Sequence, residues 1–258
     1  MTAPQIFAHR GFADTYPENT VGAVRAAAKR TDAVEIDVRR CGTGELVVFH
    51  DDELDRVTDG EGRIDETSLG TLKRLTVADS REPIPTFDEL LAAVPDGVLL
   101  NVELKEDGIG EEVVNACRAH GTDALYSSFY DDAIREIRAV APDAPLAVLC
   151  HKVQPIDERL ALAGDLDAEA FHPSMELVET WSDPGNLRLP AALERLDAGL
   201  DTEETIALGS DVVALAHAFG LRVNVWTAET PSDVVGLRER GVDGIMVDDP
   251  NLVAKRAR

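Results

Sequence analysis

Short apolar runs rich in Val, Ile and Leu alternate along the chain with longer stretches whose apolar positions recur every three or four residues. The short runs predict strands at Gln5–Ala8, Ala33–Arg39 (AVEIDVR), Glu45–Phe49, Val98–Leu104 (VLLNVEL), Leu125–Ser127, Leu146–Leu149, Ala168–His172, Arg222–Thr227 (RVNVWT) and Gly244–Val247 (GIMV). The stretches between them predict helices over Pro17–Arg30, Thr86–Val94, Ile109–His120, Asp131–Val140, Asp211–Phe219 and Pro231–Arg240. Pro17-Glu18 opens the first of these, and Thr86 opens the second with Asp88 and Glu89 in its first turn, as helix starts prefer. That makes about eight strand–helix units in roughly 250 residues, the count and length of a (β/α)8 TIM barrel in the α/β class. No GxGxxG or GxxxxGK[ST] follows a strand, which argues against a nucleotide-binding sheet.

Residues 1–258 therefore read as a single barrel domain, with two segments too long to be ordinary loops. Asp51–Pro85 (DDELDRVTDGEGRIDETSLGTLKRLTVADSREPIP) reads as a small inserted subdomain after the second barrel strand. Met175–Gly209 reads as a second long insertion, with a helix expected around Pro190–Ala198. Both fall on the strand-exit side, where such barrels build lids and pockets.

Charge narrows the partners. With 49 acidic against 25 basic residues the formal net charge is −24. Phosphate-backbone binding wants a basic face, so nucleic acid is not an expected partner, nor is an anionic membrane surface. Lysine is scarce (Lys29, Lys73, Lys105, Lys152 and Lys255), and aromatics are 5% of the chain. An acidic, lysine-poor composition reads as a halophilic-type protein, whose self-repulsion high salt screens, with an ordinary acidic enzyme as the alternative. No apolar run reaches the ~18 residues of a membrane span. The start MTAPQIFAHRG lacks a signal peptide's pattern, and a cytoplasmic location is expected. Cys41, Cys117 and Cys150 are odd in number and widely spaced, and read as reduced structural thiols. The sequence carries no signal for an oligomeric state.

The polar positions inside predicted strands carry the chemistry. Glu35 and Asp37 lie two apart and leave one face of their strand, while Val34, Ile36 and Val38 take the other. The same parity places Asn101, Glu103 and Lys105 together, and Asn224 with Trp226. Three neighbouring carboxylates repel and are costly to bury uncompensated. An all-oxygen set suits Mg²⁺, Ca²⁺ or Mn²⁺ rather than zinc; pairing with Arg10 and Lys105 without a metal is the alternative. His9 and His50 end strands and can act as general base and general acid near neutrality. Arg10 and Lys105, aimed inward in so acidic a chain, point to an anionic group such as phosphate. His172, in FHPS, is a further candidate for the same mouth; His120, His151 and His217 read as surface or structural residues.

With AHRG and PENT (Ala8–Gly11, Pro17–Thr20), Glu35-x-Asp37, VVFHDDELDRVTDGEG (Val47–Gly62), IPTFDELL (Ile84–Leu91), VELK (Val102–Lys105), SSF (Ser127–Phe129), VNVWT (Val223–Thr227) and GVDGIMVDDP (Gly241–Pro250), the sequence resembles the glycerophosphodiester phosphodiesterase family over most of its length. The resemblance implies metal ligands at Glu35, Asp37 and Glu103, catalytic residues His9, His50 and Arg10, phosphate contacts at Arg10 and Lys105, and pocket residues Phe129 and Trp226. It also implies a divalent cation, Mg²⁺ or Ca²⁺, and hydrolysis of a small-molecule phosphodiester to glycerol phosphate and an alcohol. One histidine would deprotonate the attacking oxygen, either water or a neighbouring glycerol hydroxyl, and the other would protonate the leaving alkoxide. The chain departs from the family's pattern in the length of Met175–Gly209 and in Val247, where Thr often precedes the final Asp-x-Pro. The alternatives are another phosphodiester (a phosphoinositide, a sphingophospholipid or a glycerol-polymer phosphodiester) and a non-catalytic barrel that binds. Few aromatics favour a soluble, deacylated substrate over an intact lipid.

Overall fold

The computed structural model describes residues 3–181 and 211–253. In chain order the elements are β1 (Gln5–Ala8), α1 (Val21–Ala27), β2 (Ala33–Arg40), β3 (Leu46–Val48), α2 (Leu69–Leu72), α3 (Phe87–Leu91), β4 (Leu99–Leu104), α4 (Gly110–His120) and β5 (Ala124–Ser128). They continue with α5 (Asp131–Val140), β6 (Leu146–Cys150), α6 (Ile156–Asp165), β7 (Ala170–Pro173), α7 (Met175–Thr180), α8 (Val212–Ala218), β8 (Arg222–Ala228), α9 (Pro231–Glu239) and β9 (Gly244–Val247). The strand order is β1-β9-β8-β7-β6-β5-β4-β2-β3, and β1 also pairs with β2, which closes eight parallel strands into a barrel. β3 stands outside the ring, antiparallel to β2. Among the described residues no helix is long and apolar enough to cross a membrane.

The chain sorts into two compact units, Ile6–Ala144 with Met246–Arg258, and Met1–Gln5 with Pro145–Ile245. In the first unit, the β1–β2 register sets Ala8 beside Val34, so His9 emerges next to Glu35. The β2–β4 register sets Glu35 beside Asn101 and Asp37 beside Glu103. Outside the ring, Val38 pairs with Val48, and the Phe49 amide donates to the Asp37 carbonyl at 2.9 Å, delivering His50 to the same end. Val34, Ile36, Val38, Leu100, Val102 and Leu104 are completely buried, as the strand parity predicts. In the second unit, Ala147 pairs with Ala170 and Phe171 with Val223, around a core that includes Val148, Phe171, Val223 and Val225.

Residues 51–85 build a satellite core: Leu54, Ile64, Leu72, Val77 and Ile84 pack with Cys41, Val47 and Phe49. Two backbone bonds tie the segment across itself, Leu54 to the Gly62 carbonyl (2.8 Å) and Ile64 to the Asp52 carbonyl (3.0 Å).

Three sequence expectations differ from the structure. The helix expected from Pro17 starts at Val21, because Thr20 caps it by accepting from the Ala23 amide, and Asn19 takes φ 60 to reach the strands. The helix expected over Thr86–Val94 is only Phe87–Leu91, opened by a full capping box between Thr86 and Glu89. Helix α6 is not anticipated, since Arg159 occupies one of its buried positions. Of the second long insertion, Met175–Thr180 forms α7, capped by Ser174. The helix expected around Pro190–Ala198 lies outside the described residues.

Candidate active site

The site assembles within the unit that holds β1 to β5. It starts at a tight turn, His9–Gly11, where β1 ends. Arg10 (φ 48) and Phe12 (φ 71) both take the left-handed region, a conformation that costs a non-glycine residue on the order of 1 kcal/mol or more. The turn is held by its partners: the Arg10 amide donates to Glu35 Oε2 at 2.9 Å, and the Arg10 carbonyl accepts from the Asn19 amide at 3.0 Å. Gly11 is required twice over. Its φ is +82, and a Cβ would stand 2.7 Å from the Ala23 Cβ, so any side chain would push α1 off the strand ends. The HRG triplet ends β1 because the backbone must swing Arg10 inward at this point.

Glu35, Asp37 and Glu103 converge, each buried, with one carboxylate oxygen apiece inside a 4.8 Å group. Two cations enter the same space. Lys105 Nζ bonds Glu103 Oε1 and lies 3.1 Å from Asp37 Oδ1. Arg10 Nε lies 3.3 Å from Asp37 Oδ2. Neither approach to Asp37 has hydrogen-bond alignment, for Asp37 Oδ1, Arg10 Nε and also Glu35 Oε1 are buried without a hydrogen-bond partner. Asn19 completes the Asp37 shell, donating Nδ2 to Oδ2 at 2.8 Å while its Oδ1 accepts the Asp37 amide at 3.1 Å.

The electrostatics show which carboxylates lack compensation. Burial raises Asp37, but the charges of Lys105 and Arg10 outweigh it and hold the carboxyl far below the usual range. Burial together with the Asp37 charge pushes Glu35 up to about 8. Glu103 is raised too, by burial, against the pull of Lys105. Three carboxylates thus face two fixed cations, with orphaned oxygens on two of them. This donor set fits a hard divalent cation.

Each histidine is held by a carboxylate at Nδ1. His9 Nδ1 lies 2.7 Å from Asp248 Oδ1, and its Nε2 lies 3.8 Å from Glu35 Oε2. His50 Nδ1 lies 2.5 Å from Asp51 Oδ1. A carboxylate on Nδ1 fixes that nitrogen as the donor and leaves Nε2 to exchange a proton. Burial pulls His9 down, but its hydrogen bond to Asp248 and the charges of Glu35 and Asp248 outweigh it, so its pKa is raised. His50 is lowered, first by burial, with Lys105 and Arg10 adding to the effect and Asp37 opposing it.

The structure thus brings together His9, Arg10, Glu35, Asp37, His50, Glu103 and Lys105. Phe129 is half-buried just beyond β5 of the same unit. Trp226 belongs to the other unit, half-buried, donating Nε1 to the His172 carbonyl at 2.9 Å. His172 is fully buried there, with Nε2 2.9 Å from Asn224 Nδ2. His120 and His217 pair with Asp88 (3.3 Å) and Asp243 (2.9 Å), and His151 tilts against the Trp226 ring.

Sequence reasoning singled out neither Asp248, Asp51, Glu18, Asn19 nor Arg56. All five sit inside the quoted motifs: Glu18 and Asn19 in PENT, Asp51 and Arg56 in VVFHDDELDRVTDGEG, and Asp248 in GVDGIMVDDP, just past the end of β9. The motifs marked the segments, but the pairings depend on which segments meet.

Residues 9–252 match the model of the glycerophosphoryl diester phosphodiesterase family. The chain is 28% identical to a glycerophosphodiester phosphodiesterase of Caldanaerobacter subterraneus subsp. tengcongensis, over 97% of this chain and 98% of that one. It is also 28% identical to one from Bacillus altitudinis, over 97% of both chains. Among solved structures, a phosphodiesterase of Oleispira antarctica in complex with the product sn-glycerol-3-phosphate superposes with a TM-score of 0.75 at 29% identity, over 96% of this chain and 94% of that one.

Proposed function

The chain belongs to the glycerophosphoryl diester phosphodiesterase family, and we propose that it hydrolyses glycerophosphodiesters to glycerol phosphate and an alcohol. The observation that carries this reading is the convergence of three buried carboxylates, two cations and two carboxylate-held histidines at the strand ends of one barrel unit. Its relatives of similar length are named for this activity, and the Oleispira antarctica enzyme holds sn-glycerol-3-phosphate.

Glu35, Asp37 and Glu103 would hold the cation, Mg²⁺ or Ca²⁺ with Mn²⁺ as a third option. Bound there, the cation supplies Lewis-acid stabilisation to phosphate oxygens. Arg10 and Lys105 bind the phosphate and neutralise charge that builds on it, Arg10 being aimed inward by its own left-handed backbone. His9 and His50 move the two protons of the reaction through Nε2, one accepting from the attacking oxygen and the other donating to the leaving alkoxide. Asp248 and Asp51 keep their rings in the tautomer this requires. Phe129, just beyond β5 of the unit that holds the site, is assigned to the substrate pocket on the family resemblance. A cytoplasmic setting for the reaction is supported by three buried cysteines without disulfides.

The test is alcohol release from glycerophosphocholine and glycerophosphoethanolamine in high salt, with Mg²⁺, Mn²⁺, Ca²⁺ or EDTA. Turnover should vanish with EDTA and return with one of the cations. His9→Ala and His50→Ala should each lower kcat by at least ~10²-fold in folded protein. Turnover indifferent to EDTA, or a histidine variant near full activity, would overturn the corresponding part of the reading.

A further inference from the structure

Arg56 has no part in the proposed reaction, yet it makes four hydrogen bonds to two carboxylates beside the site. It comes from the satellite segment between β3 and α3, and grips two carboxylates at once. Arg56 Nη1 and Nη2 donate to Glu18 Oε2 and Oε1 at 2.9 and 2.8 Å. Arg56 Nε and Nη2 donate to Asp51 Oδ2 and Oδ1 at 2.5 and 3.1 Å. Each carboxylate is also committed to a residue of the site. Glu18 Oε1 accepts from Arg10 Nη1 at 3.0 Å, and Asp51 Oδ1 holds His50 Nδ1. One planar guanidinium therefore links the phosphate-binding arginine to one of the two histidines.

A single exposed ion pair would contribute little and order little. A fork closed on two carboxylates differs, because bidentate geometry fixes the plane of each carboxylate as well as its position. Without it, the Asp51 carboxylate can turn about its own bond, and nothing then holds the proton on Nδ1 of His50. On the far side of the same turn, Arg39 Nε donates to the His50 carbonyl at 2.8 Å, and its Nη1 lies 2.6 Å from Asp52 Oδ1. Arg39 pins the backbone at His50, and Arg56 pins the side chain.

We infer that Arg56 is a positioning residue, whose guanidinium clamps Asp51 and Glu18 together and through them sets the orientation of His50 and Arg10. Its side chain is 48% exposed, so its removal leaves no cavity in the core. In its kinetic arm the inference rests on the proposed phosphodiester hydrolysis; its spectroscopic arm does not.

The kinetic arm uses Arg56→Ala, Arg56→Lys, Asp51→Asn and the Arg56→Ala/Asp51→Asn double variant, on glycerophosphocholine with the activating cation. Arg56→Ala should lower kcat by about 10- to 100-fold, the scale for residues that orient a catalytic shell, with a smaller change in KM and an unchanged thermal midpoint. Arg56→Lys should recover only part of the loss, having charge without the fork, and guanidinium ion added to Arg56→Ala should restore activity. The double variant should lose less than the product of the two single losses, since both remove one arrangement. In the spectroscopic arm, ¹⁵N NMR should show the His50 ring as a single Nδ1–H tautomer in the parent and as a mixture in Arg56→Ala. An Arg56→Ala enzyme within twofold of the parent, a multiplicative double variant or an unchanged His50 tautomer would overturn the clamp. If the parent turned over no glycerophosphodiester, the proposed reaction would fall, and the NMR comparison would still decide the clamp.

Discussion

His9 and His172 carry the same imidazole into opposite surroundings. His9 meets two carboxylates and is raised, whereas His172 lies fully buried against Asn224, its Nδ1 without a partner among the described residues. Burial, with the Arg222 charge, drives His172 down to about 3. The unfolded chain, with an ordinary imidazole near 6.5, then binds a proton between pH 6.5 and 3 that the folded protein refuses. The stability tied to this group is complete above pH 6.5 and declines by up to about 1.4 kcal/mol per pH unit as the pH falls through that window. His172→Gln should flatten the dependence of unfolding free energy on pH between 6 and 4, read by denaturant titration; parallel curves would refute the buried neutral form. At this scale the site's residue types were legible, since Glu35, Asp37 and Glu103 declare themselves as charges at inward positions of strands. Asp248 was not, because its partner His9 is 239 positions away and nothing local to VDDP asks for an imidazole.

Between elements, register does the positioning. The Asp37–Glu103 and Glu35–Asn101 pairings of β2 and β4 are what make separate E-x-D and VELK motifs into one donor set. A one-residue slip would turn Glu103 to the helix-facing side, where three apolar partners now lie buried. The satellite core, which packs onto Cys41, Val47 and Phe49, underlies the segment that carries Arg56. Leu72 is completely buried within that core, so Leu72→Ala should cost about 2–5 kcal/mol. The loss should appear first as protease cleavage within residues 51–85, before any in β4 or β5, and cleavage unchanged from the parent would show that the segment has no core of its own. Helix ends with strong local chemistry, such as the Thr86 capping box, were readable in advance. Helix α6 was not. Arg159 takes a buried position and donates to the Leu149 carbonyl at 3.1 Å, breaking the apolar repeat that marks a helix.

Across the whole molecule the governing quantity is charge. A formal net of −24 spread over one chain opposes compaction. At 0.1 M salt the Debye length of about 10 Å leaves neighbouring surface carboxylates in view of one another, and at 1 M it is about 3 Å. The thermal midpoint should therefore rise steadily with KCl between these concentrations, and a flat response would remove the case for a halophilic-type protein. The fold class followed from the sequence alone, because the alternation of strand and helix periods is local and only a few topologies accommodate so many parallel units. The inward carboxylates followed as well, from strand parity. Tertiary structure alone decided that β3 stands outside the ring, that Asp248 meets His9, and that Arg56 spans Glu18 and Asp51. These are pairings between segments with no local signal for one another. They exist only once strand register has set which ends meet.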